Sequence, residues 1–153
     1  MHGHRVPPLP PRAAEGKLAL KLPELVAWGE RFGAGLRAPV VVALAGDLGS
    51  GKTTLAQAMC RGLGVADDVT SPTYALVHEY ATRTGQVVHH LDLYRLEHPR
   101  ELANIGWDAI VGDPGIVLVE WPERAGPLMP HDAVRIDLEH LPGDPDRRLL
   151  LAG

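Results

Sequence analysis

The residues Gly46-Asp47-Leu48-Gly49-Ser50-Gly51-Lys52-Thr53 follow the pattern G-x-x-x-x-G-K-[ST] at every fixed position. Each residue type there has a chemical reason. Gly46, Gly49 and Gly51 permit backbone turns that aim N–H groups at phosphate oxygens, beside the positive end of a helix. Lys52 offers a point charge to β- and γ-phosphates, and the Thr53 hydroxyl suits the Mg²⁺ that bridges them. Asp47, Leu48 and Ser50 fill the variable positions, and Thr54 continues into the helix that should follow. The stretch is a candidate nucleotide-binding loop. A guanine-specific site would be expected to carry N-K-x-D. The sole asparagine, Asn104, is followed by Ile105, so ATP is the favoured nucleotide.

Such a loop needs an acidic partner at a neighbouring strand end, to orient Mg²⁺ or polarise the attacking nucleophile. Asp92 follows the run Val87-Val88-His89-His90-Leu91, and Glu120 follows Ile116-Val117-Leu118-Val119. Ligands of α/β sheets bind at the carboxyl ends of strands, so both positions suit catalysis, with a solvated strand end the plainer alternative for each. The segment Thr70-Ser71-Pro72-Thr73-Tyr74 places Ser71 and Thr73 on a proline-stiffened stretch, where switches that sense a γ-phosphate sit. An ordinary polar loop is its alternative. Trp121, beside Glu120, either stacks near a nucleotide or caps the core. His89 and His90 have no partners at ligand spacing and read as strand and surface histidines.

These residues require a scaffold. Val40-Val41-Val42-Ala43-Leu44 reads as a buried central strand feeding the loop, and Thr53 to Leu63 as the helix leaving it. Upstream, Leu18 to Leu22 suits a short strand. Pro23 then opens a helix whose Leu25, Trp28, Phe32 and Leu36 share a face, with Gly33, Gly35 and Pro39 closing it. Ala75 to Ala81 and Val87 to Leu93 form a candidate hairpin around Thr82-Arg83-Thr84-Gly85. Glu101 to Val111 is helical by pattern, and Gly115 to Glu120 is a second buried strand. Ala133 to Leu138 and Arg148 to Leu151 are late strands. The implied fold class is α/β: a P-loop NTPase-like three-layer domain with a mixed, mainly parallel central sheet. One domain spans 15–153, after a proline-rich, disordered tail over 1–14 containing Pro7, Pro8, Pro10 and Pro11.

Composition narrows the function classes. The chain of 153 residues carries a formal charge of −4 with 12 Arg and three Lys, so it lacks the basic field of an independent RNA or DNA binder. Its longest apolar run, Val40 to Ala45, is far shorter than the roughly 18 to 20 residues a membrane helix needs. MHGHRVPPLPPR has no apolar core of the secretory type, and the single Cys60 fits a reduced, cytoplasmic setting.

The blocks GDLGSGKTT, SPTYALVHEY, HLDLYRL, ELANIGWDAI and GIVLVEWPE, in that order, resemble the TsaE family from about Leu18 to Arg148. TsaE is the bacterial ATPase of tRNA threonylcarbamoyladenosine biosynthesis. The resemblance implies a P-loop α/β fold and an ATPase that is weak alone. It implies TsaB and TsaD proteins as partners, the latter the transferase, with a product beside the anticodon of tRNAs reading codons that start with A. It assigns Lys52 to phosphate, Thr53 and Glu120 to the metal site, Asp92 to an activity-requiring strand end, Thr73 to a switch, and Trp121 to the nucleotide's side. The family's adenine-side threonine aligns here with Leu25. Its late basic residue is either Arg147 or Arg148.

A small-molecule kinase on the same fold is the alternative. It would need an acceptor pocket and an arginine-bearing lid, whereas the arginines here are scattered. A nucleotide-gated binding module that never cleaves ATP is a third class.

Overall fold

A computed structural model of the chain describes residues 17–66, 77–112 and 114–152. The tail over 1–14, the candidate switch residues Ser71 and Thr73, and the first two residues of the Ala75–Ala81 strand lie outside the described residues.

Strand β1, Lys17–Lys21, leads into helix α1, Leu22–Gly35, where Pro23 stands in the first turn and the Glu24 carboxylate accepts a 2.9 Å bond from the Lys21 N–H. Leu25, Trp28, Gly29, Phe32 and Gly33 are its buried face, as the three-and-four spacing predicts. Trp28 and Phe32 stack at 4.9 Å. Gly33, however, lies inside the helix and does not end it. A Cβ there would run into the backbone of Met59, so this glycine serves a close crossing of two helices.

Strand β2, Val40–Gly46, then delivers the glycine loop, and helix α2, Lys52–Gly62, leaves it. Strands β3 (Val77–Ala81) and β4 (Val87–Asp92) form the expected hairpin. The single helix expected over Glu101–Val111 is two pieces: a 3₁₀ helix, Pro99–Ile105, and helix α3, Trp107–Gly112. Gly106 divides them, at φ 74°, a left-handed conformation that caps the first piece and redirects the chain. Strand β5, Ile116–Glu120, is followed by a 3₁₀ stretch over Pro122–Leu128 that is interrupted at Gly126. Strands β6 (Val134–His140) and β7 (Arg147–Ala152) complete the chain.

The seven strands form one sheet in the order β1-β7-β6-β2-β5-β4-β3. β6, β2, β5 and β4 are mutually parallel, while β7 and β3 are antiparallel to their neighbours. The sheet is therefore mixed and mainly parallel. Alternate residues of β5 explain its unbroken apolar run. Ile116 and Leu118 join the core under α1 and α2, and Val117 and Val119 join a second core with Leu102, Trp107 and Ala125 on the opposite face. Helical layers thus cover both faces. The loop after β2 and the last residues of β4 and β5 emerge together at the carboxyl edge of the sheet.

Candidate functional site

Backbone geometry shapes the loop first. Gly46, Gly49 and Gly51 take φ values of 150°, 77° and 109°, which a side chain would strain. The Ser50 N–H donates to the Asp47 carbonyl at 3.0 Å, and the Leu55 N–H to the Gly51 carbonyl at 2.9 Å, starting α2 directly from the turn. Ser50 is fully buried, and its Oγ has no hydrogen-bond partner among the described residues. Lys52 is buried at the head of the helix, where Nζ donates to the Gly46 and Asp47 carbonyls at 2.5 and 2.9 Å. Burial pulls its pKa below the usual lysine value, against the opposing pull of Glu120, Glu123, Asp92 and Asp47.

Opposite Lys52 stands Trp121, with Nζ 4.0 Å from the ring centroid, a cation–π distance. Trp121 takes φ 59°, and among the described residues it is the non-glycine with a positive φ. That conformation costs about 1–3 kcal/mol and persists only where the surroundings hold it. Here the Trp121 N–H donates to the Leu44 carbonyl at 3.3 Å, and the indole lies 4.9 Å from the Tyr94 ring.

The two strand-end carboxylates come together by register. Asp92 is paired with Glu120 across β4 and β5. Glu120 is 2% exposed, and both its oxygens are engaged: Thr53 Oγ1 donates to Oε1 at 2.9 Å, and His90 Nε2 lies 2.6 Å from Oε2. Asp92 is more open and accepts the Tyr94 N–H on Oδ1 at 3.0 Å. Lys52, Thr53, Asp92, Tyr94, Glu120 and Trp121 share the wall of a cavity of about 350 Å³, with Leu48, Gly49, Gly51 and Thr54 beside them.

Thr53 Oγ1 and Glu120 Oε1 are hard oxygen donors at the helix start, with the Asp92 carboxylate beside them. This donor set fits Mg²⁺, which takes one or two carboxylates and completes its shell with water and phosphate. Among the described residues no group of three or more His, Cys, Asp or Glu forms a metal cage of protein ligands alone.

A second cavity, of about 330 Å³, lies on the other side of the loop. Leu20, Leu22 and Leu25 form its apolar wall, and Thr54, Asp146 and Arg148 its polar one. The two late arginines diverge because β7 alternates faces. Arg148 reaches the Gly49 carbonyl at 3.4 Å, whereas Arg147 turns to Ala19, Glu24 and Asp144.

The loop residues Gly46 to Thr54, Asp92, Glu120 and Trp121 are therefore gathered as their types suggest. The histidines are strand residues as expected, but their exposure differs from expectation. Both are buried in β4, not on the surface: His89 is 6% exposed and His90 0%. His90 has Glu120 as its partner across the sheet, and its signal in the sequence was its place two residues before Asp92, on the same strand face. Tyr94, paired with Trp121, was also missed.

Strand, glycine loop and helix, with carboxylates at adjoining parallel strand ends, define a P-loop-like α/β domain. The family model of "Threonylcarbamoyl adenosine biosynthesis protein TsaE" matches residues 21–149, and the chain belongs to the TsaE family. It is 40% identical over 101 residues to the tRNA threonylcarbamoyladenosine biosynthesis protein TsaE of Haemophilus influenzae, an alignment spanning 66% of this chain and 63% of that protein. It is 41% identical over 117 residues to the like-named protein of a Nostoc species, across 73% of this chain and 70% of the relative. The crystal structure of Bacillus subtilis YdiB superposes with a TM-score of 0.72 at 27% identity, covering 90% of this chain and 84% of that one. No helix among the described residues is long and apolar enough to cross a membrane.

Proposed function

We propose that the chain binds ATP with Mg²⁺ and hydrolyses it in the cytoplasm, in service of tRNA threonylcarbamoyladenosine biosynthesis, with TsaB and TsaD proteins as its partners. The observation that carries this reading is the Thr53–Glu120 contact of 2.9 Å at the start of α2, beside Lys52 and opposite Asp92. It couples the loop to the strand end where a transferring phosphoryl group needs charge compensation.

Each residue has a distinct part. The loop N–H groups and the Lys52 ammonium hold the β- and γ-phosphates, with Lys52 exchanging carbonyl acceptors for phosphate oxygens. Thr53 and Glu120 would hold Mg²⁺, which neutralises charge developing on the phosphate oxygens. Both oxygens of Glu120 are committed to Thr53 and His90, so Glu120 suits holding a metal better than taking a proton. Asp92, more open on the same wall, orients the attacking water. That water's oxygen bonds to the γ-phosphorus as the bond to the β–γ bridging oxygen breaks, ADP leaves with the electron pair, and the water's proton passes to solvent or phosphate. The apolar wall of Leu20, Leu22 and Leu25 takes the base, with Arg148 near the loop.

The test is ATP turnover measured alone and with TsaB and TsaD added, in parallel with ADP affinity. Weak turnover that rises with the partners is expected. Tight nucleotide binding with no cleavage, even with both partners, would sink the ATPase reading in favour of a nucleotide-gated binding module.

A further inference from the structure

We infer that His90 is a positioning residue, which holds the Glu120 carboxylate in the orientation that presents Oε1 to Thr53 and the metal position. The inference rests on the proposed Mg²⁺·ATP reading and adds to it a residue that never touches the nucleotide. His90 occupies β4 opposite Leu118, two positions before the Asp92–Glu120 pair, so its ring reaches forward along β5 to Oε2 at 2.6 Å. Both partners are buried, at 0% and 2% exposure, and Glu120 lies at the cavity wall. An ionised carboxylate only accepts hydrogen bonds, so Nε2 is the donor of this contact. Nδ1 has no hydrogen-bond partner among the described residues.

That half-satisfaction separates positioning from mere packing. A polar ring buried among Val88, Leu118 and their neighbours is a poor stability device when one of its two nitrogens has no partner. An aliphatic side chain would fill the same strand face without that cost. What only a donor at the Nε2 position supplies is a clamp on the second oxygen of Glu120. With both oxygens fixed, from α2 on one side and β4 on the other, the carboxylate cannot rotate about its terminal torsion. Outer partners of this kind set the orientation of metal-holding side chains, and their loss costs about 10–100-fold in metal affinity or activity.

The experiment measures how much Mg²⁺ tightens ADP binding, by calorimetric titration with and without the metal, in the full chain and in His90→Leu and His90→Gln. In His90→Leu the Mg²⁺ gain should fall by about tenfold while metal-free ADP affinity stays unchanged. His90→Gln, whose amide can place a donor near Oε2, should retain most of the gain. The kcat/KM for Mg²⁺·ATP with partners should follow the same order. If His90→Leu does not fold, His90→Asn replaces it, since its shorter amide cannot reach Oε2. Equal Mg²⁺ gains in the unaltered chain and the donor-less variant overturn the inference alone, as does an equal loss in His90→Gln. No Mg²⁺ gain in the unaltered chain overturns the metal reading of the site, and the inference with it.

Discussion

The glycine loop separates two cavities built on opposite principles. On one side, hydrogen bonds lock Thr53, Glu120 and His90 together across α2, β5 and β4, with Asp92 in register beside Glu120. On the other, Leu20, Leu22 and Leu25 from the start of the domain form an apolar wall that faces Asp146 and Arg148 from its end. The first side has few permitted substitutions, because a buried carboxylate with a missing partner is costly. The second side, lined by leucines, tolerates apolar side chains of similar volume. The difference predicts a division: changes around Glu120 should act on kcat and on the Mg²⁺ dependence of binding, and changes on the leucine side on metal-free nucleotide affinity.

The largest break in that comparison is Glu120→Ala. It leaves the phosphate-holding loop intact and removes the carboxylate from beside Thr53, so turnover should fall by about 100-fold or more while ADP affinity in the absence of metal holds within a few-fold. Steady-state turnover with partners, set against ADP titration, checks it. Turnover close to that of the unaltered chain would remove Glu120 from the site's chemistry.

Lys52→Met tests the loop itself. Losing a charged donor to phosphate should weaken nucleotide binding by about 10–100-fold. Stability should move the other way. Burial holds the Lys52 pKa below its ordinary value, so folding penalises the ammonium. That penalty is fully in force below the folded-state pKa and fades as pH rises toward the unfolded-state value. Lys52→Met should therefore raise Tm at neutral pH and flatten the alkaline rise in stability. A lower Tm would show that the bonds to the Gly46 and Asp47 carbonyls outweigh the cost of burial.

The polar side was legible in the sequence wherever its logic is local. The loop is contiguous, and Asp92 and Glu120 each terminate an apolar run, so strand-end geometry follows without knowing the sheet order. His90 was legible only as a neighbour of Asp92 on the same strand face, and its partner was not. Its partner lies 30 residues away, and only the parallel register of β4 on β5 brings the two together. Gly33 was misread for the same reason, since its neighbour Met59 belongs to the helix beyond the loop. The choice between Arg147 and Arg148 also waited on register: β7 pairs Arg148 with Leu20 and Arg147 with Lys21, which sends adjacent side chains to opposite faces. Local pattern names the elements, and non-local pairing decides which polar groups meet.

Arg148→Ala sharpens the boundary between the two sides. Arg148 touches the loop at the Gly49 carbonyl but stands on the apolar cavity's wall, far from the Glu120 cluster in the sheet order. It should cost about tenfold in nucleotide affinity through a lost charged contact, with kcat at saturation unchanged. A fall in kcat with affinity intact would place Arg148 with the chemistry and erase the division.

The smallest expected effect belongs to Leu22→Ala. Leu22 is 60% exposed yet lines the apolar cavity, so truncating it removes little from the core while stripping methyl groups from the wall proposed for the base. Only part of that surface can be covered by a ligand, so the loss should be about 1 kcal/mol, or about fivefold in ADP affinity, with Tm and saturating kcat unchanged. Comparing ADP with inorganic pyrophosphate isolates the cause. Pyrophosphate has no base, and its binding should be indifferent to the substitution, whereas an equal loss for both ligands would mean that Leu22 supports the loop and not the base.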